Sequence, residues 1–141
     1  MSTDAARDFV DFLIEKKVGT GDSVFTSGDQ GAYVERPLAI VLRETPSSES
    51  PEVTINADYT TLTISVMGAY GQSGEAFVQQ KAFEVYNILR LILDVEINGT
   101  LYYYAQADRP PAHVGFDTEK QRTSYEFSVT LFRYLGEING N

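Results

Sequence analysis

The residues able to do chemistry are few and scattered. The chain has one histidine, His113, beside a double proline, and no cysteine, so imidazole-based acid–base work would rest on a lone ring and a distant carboxylate. Thiolate nucleophiles, disulfides and cysteine-ligated metal are excluded outright. Carboxylates pair at Asp94 and Glu96, at Asp117 and Glu119, and along Glu49 and Glu52, none at the spacing of a calcium loop. Asp58 and Asp117 are the remaining choice for a carboxylate couple. Gly19-Thr20-Gly21-Asp22-Ser23 lacks both the third glycine of a dinucleotide fingerprint and the Lys-Ser/Thr of a phosphate loop. It reads as a helix stop and a turn. No G-x-S-x-G elbow presents a serine. The pattern calls for no catalytic residue, cofactor or metal.

Composition points the same way. The 141 residues carry 20 acidic against 11 basic side chains, a net charge of −9. No basic cluster exists to grip phosphates, so the excess reads as a solubilising surface or as an acidic functional face. The length suits one domain that buries roughly 70% of its unfolded surface. No apolar run approaches a membrane span and no basic-then-apolar leader stands at the N-terminus, which predicts a soluble, cytoplasmic protein.

The elements that position these residues centre on 72–95. Val78, Ala82, Val85, Tyr86, Leu89, Ile92 and Leu93 recur at steps of three and four, one stripe of a helix capped by Ser73. Phe77, Phe83, Ile88, Leu91 and Val95 lie outside it, so the helix is covered on more than one side, by its own core or by a neighbouring subunit. A first helix starts at Ser2, Thr3 or Asp4, shares Ala5, Phe9, Phe12 and Leu13 on one face, and stops at Gly19.

Residues 20–36 read as a long loop anchored by Val24, Phe25, Tyr33 and Val34. Strands follow at 37–45, 53–58 and 59–70, the first two joined by a Pro- and Ser-rich tip. After the helix, Asn98-Gly99 turns into a strand at 101–107 with Tyr102 and Tyr104 opposite Tyr103; a loop at 112–120 leads to a last strand at 123–134. The order α-β-β-β-α-β-β predicts an α+β fold, a mostly antiparallel sheet with two helices packed on one face. The other face of the two best strands carries Thr61, Thr63, Ser65, Ser128 and Thr130. Such a row expresses strand propensity alone, or marks a face that packs on another subunit or lines a narrow passage.

The order of features resembles the tail-terminator (tail-completion, minor capsid) proteins of long-tailed bacteriophages. Phe25 and Pro37 precede the first strand; the strand 62–67 runs into Gly68-Ala69-Tyr70; the helix 75–93 follows. Pro111-Ala112-His113-Val114-Gly115-Phe116-Asp117 then leads through Lys120 and Arg122 to the aromatic strand 125–134. The similarity covers roughly residues 5 to 135. Two features depart from it: Met67 and Gly68 stand where many relatives have an arginine, and the loop 20–36 is long.

The resemblance implies a non-enzymatic virion protein, assembled in the bacterial cytoplasm. It would form a homo-oligomeric ring, a hexamer as a rule, that caps the tail tube, ends its growth and meets the head-side connector. DNA would pass the channel without specific binding, with no membrane partner and no cofactor. On that reading Thr61, Thr63, Ser65, Tyr102, Tyr104, Ser128 and Thr130 are subunit or channel-wall candidates. Phe25, Asp29, Tyr33, Ser48 and Glu49 are candidates for docking the tail tube or connector through the loops 20–36 and 46–51. A tail-tube or head-completion subunit of similar fold is the nearest alternative. A small ligand-binding or enzymatic α+β domain with a pocket beside Tyr103 and His113 is a further one.

Overall fold

A computed structural model of the chain describes residues 4–19, 23–29, 38–46, 57–69, 74–117 and 122–134. Helix α1 (Ala5–Glu15) is followed by β1 (Val24–Thr26), a short 3-10 turn (Ser27–Asp29), β2 (Leu38–Pro46) and β3 (Ala57–Ala69). Helix α2 (Gly74–Leu89), β4 (Leu91–Ile97), β5 (Thr100–Ala107), β6 (Ala112–Asp117) and β7 (Arg122–Tyr134) complete the chain. The fold is α+β. Its strands form a single sheet in the order β1-β2-β3-β7-β5-β4, antiparallel except for β1 beside β2. β6 pairs with the first half of β7, on the edge whose second half pairs with β5. Among the described residues no helix is long and apolar enough to cross a membrane.

Both helices pack on one face. Phe9, Val10 and Leu13 of α1 and Val78, Ala82, Val85 and Leu89 of α2 share a core with Ile40, Leu42, Leu62, Ile64, Val66, Phe127, Val129 and Leu131. Alternation in β7 is unbroken from Thr123 to Arg133, every second residue being buried, as a strand with one covered face requires.

Several boundaries depart from the sequence reading for identifiable reasons. The second helix ends at Leu89 and residues 91–97 are strand. Asn98 and Gly99 both have left-handed φ, 51° and 83°, and join Ile97 to its partner Thr100. A two-residue turn of that kind needs a strand on both sides, and this overrides the helical spacing of the apolar run. Ile92 and Val95 therefore face the core, while Leu91 and Leu93 stand out of it. The loop expected at 112–120 contains β6, and the loop expected at 20–36 contains β1. The strand expected at 53–58 overlaps the start of β3, which begins at Ala57.

Helix α1 is stopped before Gly19. Lys17 takes the left-handed conformation (φ 64°), its N–H donating to Ile14 O and that of Val18 to Leu13 O, the paired bonds that close a helix C-terminus. Gly19 is needed for space, since a Cβ there would lie 2.5 Å from Val24 Cγ2. At the other end Asp4 accepts the Arg7 N–H.

A polar chain, buried at its Tyr102–Asp8 centre and part-buried at its ends, fixes α1 to the sheet. Glu44 of β2 accepts the Ala5 N–H at 3.0 Å, one of the amide donors a helix start leaves open. It also accepts the Thr60 hydroxyl at 2.9 Å and pairs with Arg133 at 3.3 Å. Arg133 also lies beside Tyr102, whose hydroxyl donates to the fully buried Asp8 of α1. Asn98 Nδ2 donates to Asp8 at 3.1 Å and to Asp11 at 2.9 Å.

Burial, then the hydrogen bond and charge of Asp8, hold the Tyr102 phenol well above its usual range, with Arg133 opposing them. The unfolded chain releases this proton near pH 10 while the folded chain keeps it, so the contribution is complete below pH 10 and declines as pH rises above it. Urea denaturation between about pH 10 and 11.5 should show the wild type losing up to about 1.4 kcal/mol per pH unit more than Tyr102→Phe. Parallel slopes would remove Tyr102 from the linkage.

Candidate functional site

The strand registers lay out the face opposite the helices as successive rows. The first runs Leu93, Tyr104, Phe132, Tyr59 across β4, β5, β7 and β3, about 14 Å of sheet at the usual strand spacing. The second runs Leu91, Gln106, Thr130, Thr61, Thr45. The third holds Ser128, Thr63 and Arg43; the fourth Ala112, Glu126, Ser65, Val41 and Phe25; the fifth Gly115, Ser124, Met67 and Ala39. The face thus passes from aromatic, through hydroxyl, to a small apolar patch of Phe25, Ala39 and Val41 against Met67.

The aromatic end is organised around Phe132. Its ring stacks on Tyr59 at 4.6 Å between centroids and meets Tyr103 at 5.4 Å and Tyr104 at 5.7 Å, while Tyr134 stands edge-on to Tyr103. All five rings are half-buried. Beside them Leu93 and Leu91 are 64% and 57% exposed. In the hydroxyl rows the Ser65 hydroxyl donates to Glu126 at 2.9 Å and that of Thr130 to Asp108 at 3.3 Å. The remaining hydroxyls leave a surface that is polar yet inexpensive to desolvate compared with Lys or Glu.

The structure brings together Thr61, Thr63, Ser65, Ser128, Thr130 and Tyr104 on this one face, but Thr63 is buried there between Ser128 and Arg43 and offers no open surface to a subunit or a channel. Tyr102 is not among them. A register shift between Tyr102 and Tyr104 reverses the alternation, burying Tyr102 completely against Phe9 in the core and leaving Tyr103 with Tyr104 outside. Phe25 is on the face but buried in its apolar patch, so it offers no surface for docking. Asp29 closes the 3-10 turn; Tyr33, Ser48 and Glu49 lie outside the described residues.

Two imagined catalytic groupings are not assembled. In the strand register position 58 stands opposite 133 and position 117 opposite 122, so Asp58 and Asp117 belong to opposite ends of β7, roughly 36 Å apart at the rise of a strand. Tyr103 packs near Phe132 and His113 beside Tyr125, roughly 23 Å apart along the same strand, which is too far to share a pocket. The His113 ring instead shares a 2.8 Å hydrogen bond with the Thr123 hydroxyl and pins the irregular β6 to β7. Among the described residues no group of three or more acidic or histidine side chains could hold a metal.

Phe132, Tyr134, Tyr59, Leu91 and Leu93 are members of the face that the sequence reading missed. Phe132 and Tyr134 continue the parity of Ser128 and Thr130 and were visible on that ground; Leu91 and Leu93 were hidden by their assignment to the helix. No protein-family model matches the chain, and no curated protein matches it either.

Proposed function

We propose that the chain is a non-enzymatic structural subunit of a phage tail, one that closes into a ring, caps the tail tube and presents the head-side joining surface. The observation that supports this reading is the open face. The core cluster absorbs both helices, and among the described residues neither helix covers the opposite side, where aromatic, leucine and hydroxyl rows lie side by side. A face of that composition suits burial against protein, because its rings and leucines contribute area and its hydroxyls cost little to dehydrate. The net charge of −9 suits a ring whose lumen repels DNA and lets it slide. The order of features that resembles tail terminators supplies the particular assembly.

In mechanism the subunit acts by shape. One ring face pairs with the last ring of the tube, and the opposite face lacks the tube's means of recruiting another. Light scattering on a sizing column, at two protein and two salt concentrations, is expected to give a mass near six subunits. Filaments in concentrated samples would make the chain a tube subunit instead. A monomer that stays monomeric and fails to cap tail tubes mixed with it would overturn the proposal.

A further inference from the structure

The β4–β5 turn carries a chemical liability that the fold holds in check. Asn98 is followed by Gly99, the pair least hindered for deamidation, because no side chain shields the glycine nitrogen. Here the Asn98 amide is also structural, with Nδ2 bound to Asp8 Oδ1 at 3.1 Å and Asp11 Oδ2 at 2.9 Å. It is the donor that lets two carboxylates of α1, one of them fully buried, lie against the turn. We propose that Asn98 is a conformation-gated deamidation site: it is protected while α1 is docked, and its conversion weakens the docking of α1 irreversibly.

The reaction is spontaneous and needs only water. The Gly99 backbone nitrogen, after losing its proton to solvent base, attacks Asn98 Cγ. The new C–N bond closes a five-membered succinimide, and the side-chain nitrogen leaves as ammonia. Water then opens the ring at either carbonyl, giving aspartate or isoaspartate at position 98. Closing the ring requires Cγ to swing onto the Gly99 nitrogen, which the two bonds to α1 and the left-handed turn (φ 51° and 83°) oppose.

The product reverses the electrostatics. A donor between two carboxylates becomes a third carboxylate within hydrogen-bond reach of both, and Asp8 has no solvent through which to relieve the repulsion. The isoaspartate form also lengthens the backbone and breaks the two-residue turn. A molecule that has once let α1 loosen is thereby marked, since the helix cannot return to the same partners.

The test follows ammonia loss at Asn98 by peptide mapping of the full chain in mildly alkaline buffer, folded and in urea, alongside folded Asp11→Ala. Folded wild type is expected to react several-fold more slowly than the urea sample, with Asp11→Ala between them. Asn98→Asp should lower Tm and expose Arg7, Lys16 and Lys17 to trypsin, and adding Asp11→Asn should restore part of the loss. Asn98→Gly, which suits the left-handed turn and removes the amide without adding charge, separates repulsion from loss of the two bonds. Equal rates in folded and denatured protein, or Asn98→Asp no less stable than Asn98→Gly, would overturn the proposal.

Discussion

Arg133→Ala is expected to lower folding stability by about 3–5 kcal/mol, a large share of the roughly 5–15 kcal/mol that holds a domain of ordinary stability together. Arg133 is 7% exposed and lies between Glu44 and Tyr102. Removing it leaves Glu44 facing the core with its charge uncompensated and takes away the cation that offsets Asp8 beyond the Tyr102 hydroxyl. The loss should appear as a shift in the urea midpoint at unchanged m-value, because the extent of the unfolding transition is the same.

Two companions separate charge from packing at this site. Arg133→Lys keeps a cation but not the planar fork that reaches both partners, and should lose less. Arg133→Met with Glu44→Gln removes both charges together and should recover much of the single-mutant loss, since the penalty of a broken buried pair comes chiefly from the partner left behind. A loss below about 1 kcal/mol for Arg133→Ala, the value of an exposed pair, would mean that this pair is solvated and that α1 is held by its apolar face and by the bonds of Asp8, Asp11 and Ala5 without help from Arg133.

How much of this was legible in the sequence depends on which force decides each position. The alternation of Leu62, Ile64 and Val66 and of Tyr125, Phe127, Val129 and Leu131 set the covered face of β3 and β7 correctly, because a period of two leaves no choice once one side is apolar. It placed Thr61, Thr63, Ser65, Ser128 and Thr130 together for the same reason. It failed at Tyr102, where the bulge in β5 shifts the count by one, a change made by the pairing of strands and carried by no residue type in the run. It failed again at 91–95, where a short apolar run fits helix and strand alike. The Asn98-Gly99 pair marks a turn in the sequence, and the strand that such a turn demands before it outweighs the helical spacing of 91–95. The polar chain through Glu44, Arg133, Tyr102 and Asp8 was invisible, because its members are far apart in sequence and each one alone reads as a surface or strand residue.

Leu93→Lys is expected to abolish self-association while leaving the subunit folded. Leu93 is the most exposed large apolar side chain among the described residues and stands at the end of the Tyr104, Phe132 and Tyr59 row. In the isolated subunit a lysine there projects into water from an edge strand, a position where charge is well tolerated, so Tm should move by no more than a surface substitution warrants, about 0.5 kcal/mol of stability. In an assembly that covers the aromatic row the same ammonium would be stripped of water with no carboxylate on the row to receive it, Asp94 being its own chain neighbour. An apolar anchor replaced by a desolvated charge costs an interface about 2 kcal/mol or more, which weakens each contact by roughly 30-fold or more and dissolves a ring that needs every contact closed. Leu91→Lys, in the adjacent row with Gln106 and Thr130, should act in the same direction. Gln80→Lys, exposed on α2, should leave the mass unchanged and so controls for added positive charge. Should Leu93→Lys assemble like the wild type at matched concentration and salt, the aromatic row is not the contact, and subunit docking must use another part of the surface.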